Sequence, residues 1–193
     1  VAFGESARES ELDGEVVNLI HADLTSSQDG DTPGCADLTV ANRLSANRGI
    51  AFVGIQKTGP FEIDGALARQ WLMQPNPNAL PNSRVIRPWF NGLDVTRRNR
   101  DLWIVDFGVD MAQQDAALFE SPFEFVTKYV KPTRVGKREA RTNECYWLFQ
   151  WSRPVMRAAI TGLPRIIVTP EVAKHRSFTW MPTTIIADKN LSV

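Results

Sequence analysis

The sequence predicts an α+β fold, with a mixed or antiparallel sheet and with its helices clustered in the second half of the chain. Three observations lead there. Runs rich in β-branched and aromatic residues stand at 50–55, 85–89 and 102–107. Helical signals fill roughly 111–162, and two more strand-like runs follow at 165–168 and 183–186. Strands and helices therefore cluster and do not alternate regularly, as they would over a parallel sheet.

Each element has a local reason. The first segment reads as strand or hairpin, with 16–20 the expected strand, and gives way at 25–34 to a stretch of Ser, Asp, Gly, Thr and Pro with linker composition. A boundary is placed there, dividing the chain into 1–35 and 36–193. Asp64 is positioned to cap a short helix through Ala66, Leu67, Ala68, Trp71 and Leu72, which stops at Pro75-Asn76-Pro77-Asn78. The run at 85–89 is extended because a residue before proline, here Arg87 before Pro88, avoids helix. The run at 102–107 has the composition of a buried strand, closed by Gly108.

The helical half begins at 111–119. Ser121 offers an N-cap, Pro122 a first helical position and Glu124 a third, predicting a helix to about Tyr129 that ends before Pro132. Another helix is expected at 146–151, with Trp147 and Trp151 four apart on one face, a spacing that core packing explains. Ser152-Arg153-Pro154 opens a further helix whose end is marked by Gly162 and Pro164. No repeat of solenoid period is present.

Composition excludes several classes. With 43% hydrophobic and 23% charged residues, the 193-residue chain can bury an ordinary core and is not a disordered tail. No apolar run approaches the ~20 residues of a membrane span, the first residues lack a signal peptide's basic flank, and a cytoplasmic location is expected. Cys35 and Cys145 stand apart and read as plain thiols. The formal charge of zero conceals a split: residues 1–37 hold nine acids and one base, a net −8, and the remainder carries +8. Such a division points to a polyanion-binding body beside a chemically different neighbour.

Catalytic signatures are absent. The sequence has no Gly-x-Gly-x-x-Gly loop, no phosphate loop and no Gly-x-Ser-x-Gly elbow. His21 and His175 stand far apart in unlike surroundings, which gives a two-histidine metal site little support. Asp94 and Asp106 are the candidates for a nuclease metal pair, but no lysine stands two residues after a suitable glutamate. Arg87, Asp94 and Asp106 flank buried strands and are read as structural. No catalytic residue, metal ligand or cofactor is expected in this chain.

Basic residues gather in three places. Lys128, Lys131, Arg134, Lys137, Arg138 and Arg141 face one acid, Glu139, in a stretch that Pro132 and Gly136 should break into loop. Lys174, His175 and Arg176 form a second group, and Arg97, Arg98 and Arg100 a third ahead of the strand at 102. Phosphate contacts from Lys and Arg supply most non-specific DNA affinity, and Arg can pair with guanine in the major groove. A solvated charged loop has the same composition, so both readings stay open. The DNA-contact candidates are Arg134, Lys137, Arg138, Arg141, Lys174 and Arg176, with Arg97 and Arg98 behind them.

The order of motifs resembles the target recognition domain of the large N6-adenine DNA methyltransferases, including MmeI-like fused restriction-modification enzymes and PglX-type relatives. The likeness covers roughly 38–187. It opens on Asn42-Arg43-Leu44, on Asn47-Arg48-Gly49-Ile50-Ala51-Phe52-Val53-Gly54 and on Gly59-Pro60-Phe61. It continues through Val85-Ile86-Arg87-Pro88, Asn91-Gly92-Leu93-Asp94 and Trp103-Ile104-Val105-Asp106-Phe107. Val130-Lys131-Pro132 with Arg134, Tyr146-Trp147, Arg153-Pro154, Ala158-Ala159-Ile160, Ile166-Ile167-Val168, Lys174-His175 and Phe178 complete it. Tyr146 stands where relatives often carry a tryptophan.

The resemblance implies a DNA-reading module whose partners are double-stranded DNA and an upstream methyltransferase domain of the same polypeptide. Residues 1–30 resemble the last strands trailing that catalytic domain. The family's Asn-Pro-Pro-Tyr motif and glycine-rich S-adenosylmethionine loop are absent from these residues, so S-adenosylmethionine is expected for the complete enzyme and no catalysis for this chain. The alternatives are a free-standing nucleic-acid or protein interaction module, or a nuclease.

Overall fold

A computed structural model describes residues 10–17, 19–20, 26–27, 45–136 and 140–193. The chain forms two compact units, Val1–Arg48 and Gly49–Val193. In the first, β1 (Ser10–Leu12) and β2 (Glu15–Val17) pair antiparallel around Asp13 and Gly14, whose positive φ angles of 55° and 86° suit the tight hairpin turn that Asp-Gly favours. A second small antiparallel pair joins β3 (Leu19–Ile20) to β4 (Ser26–Ser27). The linker expected at 25–34 otherwise lies outside the described residues.

The second unit is α+β with helices concentrated after residue 113, as the sequence predicts. Its larger sheet contains β5 (Glu62–Asp64), β6 (Ile86–Phe90), β7 (Leu102–Val105) and β10 (Ile186–Ala187) in the order β10-β6-β7-β5, with β10 parallel to β6 and the other pairs antiparallel. The smaller sheet is antiparallel, with β8 (Arg165–Pro170) between β9 (Thr179–Pro182) and β11 (Leu191–Ser192). The main core gathers Phe61, Trp89, Ile104, Phe107, Phe119 and Val126 between the larger sheet and the helices, and a satellite core of Ile166, Val168, Met181, Ala187 and Leu191 underlies the smaller sheet.

Helix α1 (Gly65–Leu72) begins as expected, with Asp64 Oδ1 accepting from Leu67 N at 2.8 Å. Helix α2 (Gly92–Thr96) opens on a reciprocal capping box between Asn91 and Asp94. Helix α3 (Gln113–Ala117) is followed by α4 (Glu120–Phe125), a π-helical turn (Val126–Val130) and α5 (Lys131–Arg134). Then come α6 (Ala140–Glu144) and α7 (Pro154–Ile160), the latter ending before Gly162 as expected.

Four expectations need correction. The segment 50–55 forms only isolated bridges, because it shares its hydrogen bonds among several partners: Phe52 N reaches Val193 O, Gly54 N reaches Leu191 O, and Ile55 N reaches Ala187 O. Gly54 permits this approach, since a Cβ there would collide with the backbone carbonyls of Ala187 and Asp188. The helix at 120–125 does not use Ser121 as its cap; Ser121 Oγ donates to Gln74 Oε1, and helical backbone continues through Pro132 by way of the π turn, which relaxes the ladder where proline has no N–H to give. No helix forms over 146–151, and Trp147 is buried while Trp151 is exposed. The last expected strand, 183–186, is displaced: 183–185 turns, and β9 and β10 lie on either side.

Candidate nucleic-acid interface

Helix α2 packs against β8, with Gly92 lying 3.6 Å, measured from an ideal Cβ position, from the Pro170 side chain. This contact sets the end of α2 beside the loop that follows β8. Between them runs an open cleft of about 630 Å³, lined by Leu93, Val95, Thr96 and Arg97 on one side and by residues of 172–177, including Lys174 and His175, on the other. Among the described residues no acid lines it. Two basic groups that are far apart in sequence thus meet across one groove.

Asp94 organises the α2 side. Its Oδ2 accepts from Asn91 N at 2.9 Å, and its carboxylate takes Nε and Nη2 of Arg100 at 3.0 and 2.9 Å as well as the Arg100 backbone N at 3.2 Å. Burial works to raise the Asp94 pKa, but the bonds from Arg100 and the backbone outweigh it and hold the carboxyl below its ordinary value. The turn at 96–100 is folded back on Asp94, which neutralises Arg100 and leaves Arg97 and Arg98 exposed. On the opposite wall the loop is anchored by Arg176, whose Nη1 donates to Pro170 O at 3.1 Å, while Lys174 and His175 stay exposed.

The other basic stretch behaves differently. Arg134 is 1% exposed. Its Nη1 donates to Leu148 O at 2.6 Å, Nη2 to Lys57 O at 2.6 Å and Thr58 O at 2.9 Å, and Nε to Thr58 O at 3.0 Å. The guanidinium also stacks 5.0 Å from the Phe61 ring centroid, and burial lowers its pKa to about 10. Arg134 is therefore a buried structural residue and not a DNA contact. The spacing Val126, Val130, Arg134 carried the signal, since all three share one inward helical face.

Arg141 is exposed and borders a separate groove with Trp151, Arg153 and Val155, with Nη2 at 3.5 Å from Val109 O. Lys137 and Arg138 lie outside the described residues. Their flanks are more helical than the loop expected here, since α5 and α6 occupy 131–134 and 140–144.

Asp94 and Asp106 are each paired with an arginine, Arg100 and Arg157 respectively. Asp106 accepts Gly108 N at 2.9 Å and is gripped through both oxygens by Arg157 Nη2, at 3.0 and 2.9 Å. Among the described residues no group of three potential metal ligands comes together, and no helix is long and apolar enough to cross a membrane.

No protein-family model matches the chain, and no curated protein matches it. Among solved structures it resembles MmeI, a Type IIL restriction-modification enzyme determined in complex with DNA, with a TM-score of 0.54 at 13% sequence identity. The match covers 92% of this chain and 22% of that enzyme's chain. At this identity the likeness is one of fold.

Proposed function

We propose that this chain is the sequence-reading DNA module of an adenine-N6 DNA methyltransferase in a restriction-modification or related phage-defence system. The observation that carries the reading is the cleft, lined by no acid among the described residues, where Arg97 lies across from Lys174 and His175. Exposed Lys and Arg on facing walls suit the paired phosphate rows of a duplex, and the two walls are fixed to each other through α2 and β8. The motif resemblance and the fold likeness to a DNA-bound restriction-modification enzyme support the same class.

In this reading Arg97, Arg98, Lys174 and Arg176 hold or read DNA, joined by Arg141 and by Lys137 and Arg138. A methyltransferase domain of the same polypeptide would bind S-adenosylmethionine and take the adenine out of the duplex for transfer to its exocyclic nitrogen. A cytoplasmic location goes with this role. Selection from a pool of randomised duplexes by the chain, followed by sequencing, tests it. Enrichment of one short motif that disappears on Lys174→Glu supports the reading, and a pool recovered without enrichment contradicts sequence reading.

A further inference from the structure

A further cavity, of about 240 Å³, lies beneath α7 against β6 and the 183–187 segment. Its walls include Ile55, Ile160 and Ile166, and its polar lining comes from Arg87, Arg157, Thr161 and Thr183. Arg157 is paired with Asp106 and also donates from Nε to Ser152 O at 2.7 Å. Among the described residues Arg87 has no carboxylate in its bonds: Nε donates to Thr184 O at 2.8 Å and Nη2 to Thr183 O at 2.6 Å. Those bonds use Nε and Nη2 of both arginines and leave each Nη1 out of them.

Two guanidiniums thus line one cavity of mixed polar and apolar walls, and Asp106 bonds Arg157 of the two. Burial works against the charge on Arg87, Asp106 offsets part of that cost, and the neighbouring Arg157 opposes the charge more weakly. A half-buried guanidinium bonded to carbonyls alone gains from an anion that completes it. Guanidinium forks match tetrahedral oxyanions, and partial burial strengthens the attraction. A water occupies about 30 Å³ of liquid, so the cavity has room for more than a bare ion.

We propose that this cavity is a binding site for one phosphate group, held by Arg87 and Arg157. The inference stands apart from the DNA reading, because the phosphate can belong to a duplex backbone or to a free phosphate or phosphomonoester. Calorimetry of the full chain with inorganic phosphate, at ionic strength held constant with sodium chloride, tests it. Phosphate binds the wild type; Arg87→Met, with its fold checked by circular dichroism, weakens binding about tenfold or more, as expected for losing charged hydrogen bonds. Because Arg87 also supports the 183–184 turn, Thr161→Asp is the second variant. It places a carboxylate at the exposed rim and leaves both arginines in place.

Thr161→Asp loses phosphate binding while Thr161→Asn keeps it. Competition by a short duplex identifies the backbone as the source, and phosphate binding that a duplex leaves unchanged identifies a free phosphate. Heat no different from the chloride control, or equal phosphate affinity in wild type and Thr161→Asp, overturns the site. Neither result bears on duplex binding at the Arg97 and Lys174 cleft.

Discussion

Arg134 Nη1 donates to the carbonyl oxygen of Leu148 at 2.6 Å, tying the end of α5 to the turn after α6. The most conspicuous basic stretch of the sequence therefore spends one of its arginines inside the molecule. Truncation of Arg134 takes the guanidinium donors from the carbonyls of Leu148 and Thr58, each loss worth about 1–3 kcal/mol. Arg134→Ala should lower the unfolding free energy by about 3 kcal/mol or more, and Arg134→Lys should recover little because an ammonium lacks the planar fork. Urea denaturation measures both; a midpoint unchanged in Arg134→Ala contradicts the assignment.

The pair of Arg157 with Asp106 predicts an asymmetry. Both groups are largely buried, at 20% and 3% side-chain exposure. Removing one partner strands a charge, so Asp106→Ala should cost about 3 kcal/mol, whereas the double variant Asp106→Ala with Arg157→Met should cost less than the sum of the singles. Additive costs in a double-mutant cycle would show the two groups to be energetically independent.

Asp94 predicts a pH dependence. Its folded-state pKa lies below the ordinary value of about 3.9. A depressed carboxyl contributes stability that is present above the unfolded-state pKa and is lost as pH falls through the folded-state one. The stability gap between wild type and Asp94→Asn should be widest near neutrality and close as the pH drops below the ordinary carboxylate range. A gap independent of pH down to acid unfolding would contradict the role given to the Arg100 bonds.

Much of the fold was legible where a local chemical cue acts alone. Asp64 caps α1, the 102–107 run supplies β7, and Gly162 follows α7. Legibility failed where tertiary bonds decide. The π turn lets the helix run through Pro132, which a local rule reads as a stop. Strand β9 ends in Pro182, tolerated because it is an edge strand. The 183–185 segment turns because Arg87 holds the carbonyls of Thr183 and Thr184. For the candidate interface, residue type pointed to Arg97 and Lys174 as DNA contacts but could not place these exposed groups across one cleft, which depends on α2 packing against β8. Arg134 was misplaced because its charge outweighed its position on the Val126 and Val130 face.

The Gly54 approach predicts a backbone effect without any loss of charge. Gly54→Ala must displace the carbonyls of Ala187 and Asp188, which belong to the segment joining both sheets. A loss of about 2 kcal/mol or more is expected from the clash, read as a lowered urea midpoint. Wild-type stability in this variant would mean that the 52–55 segment is not held against 187–188.

Duplex binding in the Arg97 and Lys174 cleft is tested by the salt dependence of affinity. Fluorescence anisotropy of a labelled duplex should show affinity falling linearly in log–log form with added sodium chloride, and the double charge reversal Arg97→Glu with Lys174→Glu should flatten the slope by about 0.9 for each phosphate contact removed. Affinity at low salt should fall at least about tenfold in the same variant. A folded double variant with the wild-type affinity and the wild-type salt slope would contradict binding in this cleft.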